Sequence, residues 1–93
     1  MKEHELKTDP EVFQQSWEGN KPYEIRLDDR GFQIDDELVL LETVYSGIEM
    51  GQGKPLEYTG RGIRCEVLSK ITNVYGLKDG WCCMGVREIL RDC

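Results

Sequence analysis

Lys21, Glu24 and Arg26 are the residues whose types and spacing could do chemistry. They fall in the run Gly19-Asn20-Lys21-Pro22-Tyr23-Glu24-Ile25-Arg26, which reads G-x-K-x-x-E-x-R. The glycine sits where a helix should stop, and the charges sit where a strand should start. Alternate side chains of a strand share a face, so Glu24 and Arg26 point the same way. Lys21 leans over them from the helix–strand corner. Two chemistries fit. In a binding site Lys21 and Arg26 hold phosphate, with Arg26 as the bidentate partner. Glu24 then accepts from a base edge or orients the two cations, and Tyr23, Tyr58 or Trp17 stacks on a base. In an enzyme Lys21 is a base or nucleophile and Glu24 a proton shuttle. The bland alternative is a surface ion cluster, since i,i+2 charges on one strand face often pair.

Other charged residues extend or limit these readings. Lys7 and Arg30 are candidate supports, and Arg61 with Arg64 could continue a backbone-binding track. His4, the only histidine, reads as a structural hydrogen-bonding residue, and its solitude excludes a multi-histidine metal site. The cysteines are Cys65, Cys82, Cys83 and Cys93, with no C-x-x-C pair, so zinc-ribbon spacing is absent. Neighbouring Cys82 and Cys83 point to opposite faces of a strand. No metal and no cofactor is expected.

The elements that must position these residues have clear signals. A short strand over residues 4–8 turns Leu6 inward with His4 and Thr8. Asp9 is a good N-cap and Pro10 suits the first helical position. Val12, Phe13, Ser16 and Trp17 share the following helix's face, and Gly19 is the natural C′ residue. Trp17 shares that face with Phe13, so core packing suits it better than a base platform. Residues 22–27 form a second strand in which Tyr23, Ile25 and Leu27 alternate with Glu24 and Arg26, a half-buried pattern. Residues 37–45 are the most apolar strand, covered on both faces over its first half. Ser46 to Pro55, with three glycines, reads as a flexible loop, and Tyr58 to Gly62 as a turn. Residues 63–71 put Ile63, Cys65, Val67, Ser69 and Ile71 on one face. Residues 81–86 are the last strand, and Arg87 to Cys93 is a charged tail, either a helical turn or an edge extension. Short strands between turn signals, with one helix, predict an α+β chain built as a small barrel capped by that helix.

Composition sets the class. The chain has 93 residues, 39% hydrophobic and 32% charged, which suits one soluble folded domain over 1–93. No apolar run approaches the ~20 residues of a membrane span, and no apolar segment follows the N-terminus, so a cytoplasmic, membrane-free protein is expected. Net charge is −6, from 12 basic and 18 acidic residues. That weakens broad nucleic-acid binding, which draws on phosphate neutralisation, but leaves room for a local basic pocket.

The motif resembles the signature of the ASCH domain, which is similar in fold to the PUA domain of RNA-modifying proteins. His4-x-Leu6-Lys7-Thr8-x-Pro10, Asp29-Arg30-x-Phe32, Leu38-x-Leu40, Tyr58-Thr59-Gly60-Arg61 and Gly76-Leu77-x-x-Gly80 follow in the order of a small, largely uncharacterised bacterial and phage branch. The resemblance covers nearly the whole chain. One departure is Asp35-Asp36, where such domains often carry Gly-Asp, so a tight turn must tolerate a Cβ. The resemblance implies a mixed β pseudobarrel of five to six strands with one capping helix and a cleft between helix and sheet. It also implies RNA or a nucleotide-like ligand as partner, bound by Lys21, Glu24 and Arg26 with Lys7, Arg30, Tyr23, Tyr58 and Arg61. A related branch looks like amidohydrolases of acylated cytidine. It shares Lys21 but has a threonine in place of Glu24, and it needs a second carboxylate for which Glu66 is the nearest candidate. Binding is therefore favoured over catalysis. The remaining alternative is a protein-interaction module with an apolar patch near residues 46–57. Exposed strand edges could support a dimer.

Overall fold

The computed structural model describes residues 1–92. Along the chain run β1 (Glu3–Thr8), α1 (Pro10–Trp17), β2 (Tyr23–Leu27), β3 (Glu37–Thr43), α2 (Gly47–Gly51), β4 (Tyr58–Thr72) and β5 (Trp81–Asp92). The strands form one curled mixed sheet, a half-barrel, in the order β1-β3-β4-β5-β2. β1 pairs with β3 in parallel, and every other pairing is antiparallel. β1 and β2 are the two free edges.

The periodicity of β1 holds as expected: His4, Leu6 and Thr8 are buried and their neighbours exposed. β3 buries Leu38 and Leu40 and half-covers Val39 and Leu41, as its two-sided apolar pattern requires. Phe13 of α1 enters the core with Phe32, Leu38, Leu40, Val67 and Met84, and Trp17 packs against its rim. Gly19 ends α1 at φ 81°. Its N–H donates to Ser16 O and the Asn20 N–H to Gln15 O, both at 3.0 Å, which is the paired pattern of a Schellman motif. That sharp exit turns the chain from α1 towards β2.

Four sequence expectations change. The pattern of β2 is inverted: Glu24 is buried, while Tyr23, Ile25 and Leu27 stay about half exposed. Two cations reach Glu24 there and make its burial tolerable. Ser46–Pro55 is no plain loop, because Ser46 and Glu49 form a reciprocal capping box that starts α2. Among the described residues there are therefore two helices. Tyr58–Gly62 is the first part of β4 rather than a turn, because Tyr58 pairs with Thr43 and Gly62 with both Leu41 and Asp92. The tail after Val86 takes the second of its two expected forms, a strand extension of β5 alongside β4. Cys93 lies outside the described residues. Finally, register shifts at Arg64/Cys65 and Val67/Ser69 twist β4, so Ser69 and Ile71 leave the core face that Ile63, Cys65 and Val67 share.

The N-cap is also different in detail. Asp9 precedes α1, but its side chain makes no cap bond. Asp9 Oδ1 instead accepts from the Gly47 N–H at 3.0 Å, tying the start of α1 to the start of α2. No helix among the described residues is long and apolar enough to cross a membrane.

Candidate functional site

The half-barrel does not close between β1 and β2, and a groove of about 590 Å³ lies along that seam. Lys7, Thr8 and Asp9 line one bank, and Lys21 with Tyr23–Leu27 lines much of the other. Asp29, Arg30 and Phe32 also line it. Four cations (Lys7, Lys21, Arg26, Arg30) face three carboxylates (Asp9, Glu24, Asp29), so the groove carries a net positive charge on an acidic chain.

At its centre is Glu24, 2% exposed. One carboxylate oxygen accepts from Lys21 Nζ, and the other accepts from Arg26 Nε at 3.0 Å. Lys21 Nζ also donates to Tyr23 O at 2.9 Å and lies 5.3 Å from the Tyr23 ring centroid. Arg26 continues across the seam. Its Nη1 donates to Lys7 O and its Nη2 to Thr8 Oγ1, both at 3.0 Å. Arg30 does the same further along, donating from Nη1 to Glu5 O at 2.9 Å. Two arginines therefore bridge the open side of the barrel by satisfying carbonyls of the β1 edge. Edge carbonyls without a strand partner need such donors when water is partly excluded.

The cluster's division of labour differs from the simplest expectation. Arg26 is committed through Nε, Nη1 and Nη2 to protein acceptors, and it fixes the groove's shape. Lys7 is exposed, and the Arg30 side chain, 44% exposed, lies 3.9 Å from Asp29. These two are the cations with room for an added anion. Thr8 is a groove residue that its sequence pattern marks only as an inward-facing member of the first strand. Its signal was the hydroxyl placed between Lys7 and Asp9 at a strand's end.

Other expected residues lie elsewhere. Tyr58, Arg61 and Arg64 line a separate cavity of about 120 Å³ on β4. Arg61 Nε donates to Glu42 Oε1 at 2.8 Å and its Nη2 to Glu42 Oε2 at 2.9 Å, a bidentate pair. The guanidinium also lies 4.7 Å from the Trp17 ring, which Arg91 approaches to 4.2 Å. The Arg61 hydrogen bond, opposed by burial, holds the buried Glu42 carboxyl below its ordinary range. Trp17 is thus held between two arginines at the core's rim. Arg64 joins Glu3 and Glu37 in an exposed ion cluster, which raises its pKa. Glu66 pairs with Arg87 at 2.7 Å and does not line the groove.

His4 is structural, as expected. Its Nε2 lies 2.9 Å from Asp36 Oδ2, and its ring meets Phe32 edge-on at 4.8 Å. Burial pushes the Asp36 carboxyl up, but N–H groups of Lys2 and Gln33, with His4, outweigh it and lower its pKa to about 2. Asp35 beside it adopts φ 77°, the left-handed conformation that the Asp-Asp corner was expected to tolerate. Burial raises the Cys65 thiol to about 12, with Glu24 adding to the effect. Among the described residues no group of three or more His, Cys, Asp and Glu could hold a metal ion.

A family model matches residues 3–86, from β1 into β5. The chain belongs to the family described as a domain of unknown function, DUF3850. No curated protein matches it. The DUF3850 match spans every residue lining the groove and stops before the outer half of β5. The family description assigns no activity, so the groove's geometry must carry the functional argument.

Proposed function

We propose that the groove binds a nucleotide, either free or as an unpaired residue of single-stranded RNA. The observation that carries this reading is the surplus of cations in a 590 Å³ groove on a chain of net charge −6. That volume falls within the ~300–1,000 Å³ range of small-ligand sites. Lys7 and Arg30 would take the phosphate, while Lys21, Glu24 and Arg26 hold the two banks at a fixed separation. Half-exposed Tyr23, Ile25 and Leu27 supply apolar surface beside the charges. The separation of Arg61 and Tyr58 from the groove favours a short ligand over an extended RNA track.

The curled sheet and its helix are compatible with the ASCH/PUA-like architecture that the sequence motifs suggest, and with the nucleotide chemistry of that superfamily. A hydrolase would need a second carboxylate, and Glu66 is not at the groove. For the interaction-module alternative, the exposed large apolar residues near α2 are Val44, Ile48, Leu56 and Tyr58.

The test is an anisotropy titration of labelled single-stranded RNA at several salt concentrations, with wild type, Lys21→Ala and a Lys7→Ala/Arg30→Ala double variant. Two phosphate contacts predict a salt slope of about −1.4, at about −0.7 per contact. The double variant should flatten that slope while its circular dichroism stays unchanged. Lys21→Ala should also weaken binding. An absence of binding at tens of micromolar protein, on the order of weak non-specific affinities, would discard the reading.

A further inference from the structure

We infer that the free edge of β2 reads the Watson–Crick edge of an unpaired base, through the backbone N–H and C=O of Ile25. This rests on the nucleotide reading of the groove and names the part of the ligand that the groove recognises.

The direction of the Ile25 backbone follows from register. At one end of the β2–β5 pairing the Val86 N–H donates to Pro22 O at 3.1 Å, and at the other the Asp28 N–H donates to Gly80 O at 2.8 Å. Glu24 faces Met84 and Arg26 faces Cys82 between them. Antiparallel pairs alternate between bonded and non-bonded, so Glu24 and Arg26 turn their backbone groups to β5. Tyr23, Ile25 and Leu27 therefore turn theirs to the opposite side, where no strand lies. The Tyr23 carbonyl bears this out, because it accepts from Lys21 Nζ at 2.9 Å within the groove. The same logic holds on the other bank. β1 uses Lys2 O to bond Glu37 N at 2.8 Å, so the Glu5 and Lys7 carbonyls face the seam. Arg30 and Arg26 take them.

Side-chain cations thus occupy three of the seam's carbonyls, while Ile25 offers an N–H and a C=O together. Ile25 is 49% exposed and lines the groove. In an extended residue these two groups point the same way and lie side by side. The Watson–Crick edge of every nucleobase presents a donor next to an acceptor, so either orientation can complete both hydrogen bonds. Unpaired bases are read by such edge contacts. A backbone pair of this kind recognises that a base is unpaired, not which base it is. The ligand class is therefore a nucleotide with a free Watson–Crick edge, with little discrimination among the four.

The probes are the four nucleoside 5′-monophosphates, the edge-blocked 3-methyluridine and 1-methylguanosine monophosphates, and 5-methyluridine monophosphate as a control. Affinity is read by calorimetry. All four ordinary monophosphates should bind within about tenfold of one another. Each edge-blocked form should bind at least about tenfold more weakly than its parent, because a backbone group that the bound base covers is left without a partner. The 5-methyl control should match uridine monophosphate within about threefold. Ile25→Pro deletes the groove-facing N–H and no ladder bond, as an edge strand permits. It should lower affinity about tenfold or more, and by more than Ile25→Ala, which keeps the N–H and loses only apolar surface. If Ile25→Pro unfolds, the methylated nucleotides decide alone. Equal binding of parent and edge-blocked forms, or equal loss with the 5-methyl control, overturns the inference and leaves the groove as a nucleotide site. Failure of wild type to bind any monophosphate overturns the inference, and failure to bind the single-stranded RNA as well overturns both.

Discussion

Replacing Glu24 with glutamine tests whether the buried carboxylate holds the two banks of the groove together. The amide has nearly the same shape but no charge, and it turns an N–H₂ towards a cation. Glu24 is 2% exposed and meets Lys21 through one oxygen and Arg26 through the other. Removing one partner of a buried ion pair costs roughly 3–5 kcal/mol. Here the Lys21 and Arg26 side chains keep 10% and 23% of their surface, so water can relieve part of the loss. An expected destabilisation of about 2–3 kcal/mol follows. At roughly 4–8 °C per kcal/mol for a domain of this size, the melting temperature should fall by about 10–20 °C. The assay is urea unfolding at pH 7 with an unchanged m-value, followed by a double-mutant cycle with Lys21→Met. The cycle should show a coupling of about 1–2 kcal/mol. Glu24→Gln within about 0.5 kcal/mol of wild type, or an additive cycle, would refute the claim that this carboxylate organises the groove.

Other consequences follow from the same structure. Asp36 has its pKa lowered to about 2 when folded. Its stabilisation is thus fully present above the unfolded carboxylate value and lost as pH falls through the folded one. Acid titration should remove about 2 kcal/mol between pH 4 and 2, and Asp36→Asn should abolish that part of the pH dependence. Arg61→Met strands the buried Glu42 carboxylate and should cost about 2–3 kcal/mol in denaturant melts, while nucleotide affinity is unaltered. Unequal nucleotide binding by that variant would return Arg61 to the site. Alkylation of the native protein at pH 8, mapped by mass spectrometry, should spare Cys65 and Cys82. Both are buried with raised pKa values, whereas Cys83 is only half-buried and should react before either of them.

Much of the local structure was legible because it depends on neighbours in the chain. Pro10 starts α1 and Gly19 at positive φ ends it; both are local backbone properties. His4, Leu6 and Thr8 declare the buried face of β1 by period alone. Asp35 was identifiable as the residue forced to positive φ because a tight corner there offered no glycine. The grouping of Lys21, Glu24 and Arg26 was also readable, since a strand fixes i,i+2 neighbours on one face and the preceding turn brings in the lysine.

What lay beyond the sequence were the long-range contacts. Alternation in β2 says that two faces differ but not which is buried, and propensity would have put Ile25 inside. Arg26 reversed that choice by finding Thr8 Oγ1 and Lys7 O across the seam, 18 and 19 residues away, so that the charged face could be buried. Tyr58 and Arg61 looked like companions of the groove, but β4 pairs Tyr58 with Thr43 of β3 and sends Arg61 to Glu42. The open seam depends on the sheet order, in which β1 and β2 are both edges and neither pairs with the other. Sequence sets which side chains share a face of one strand. Only the tertiary pairing decides which edges stay open, and with them the groove and the backbone groups that face it.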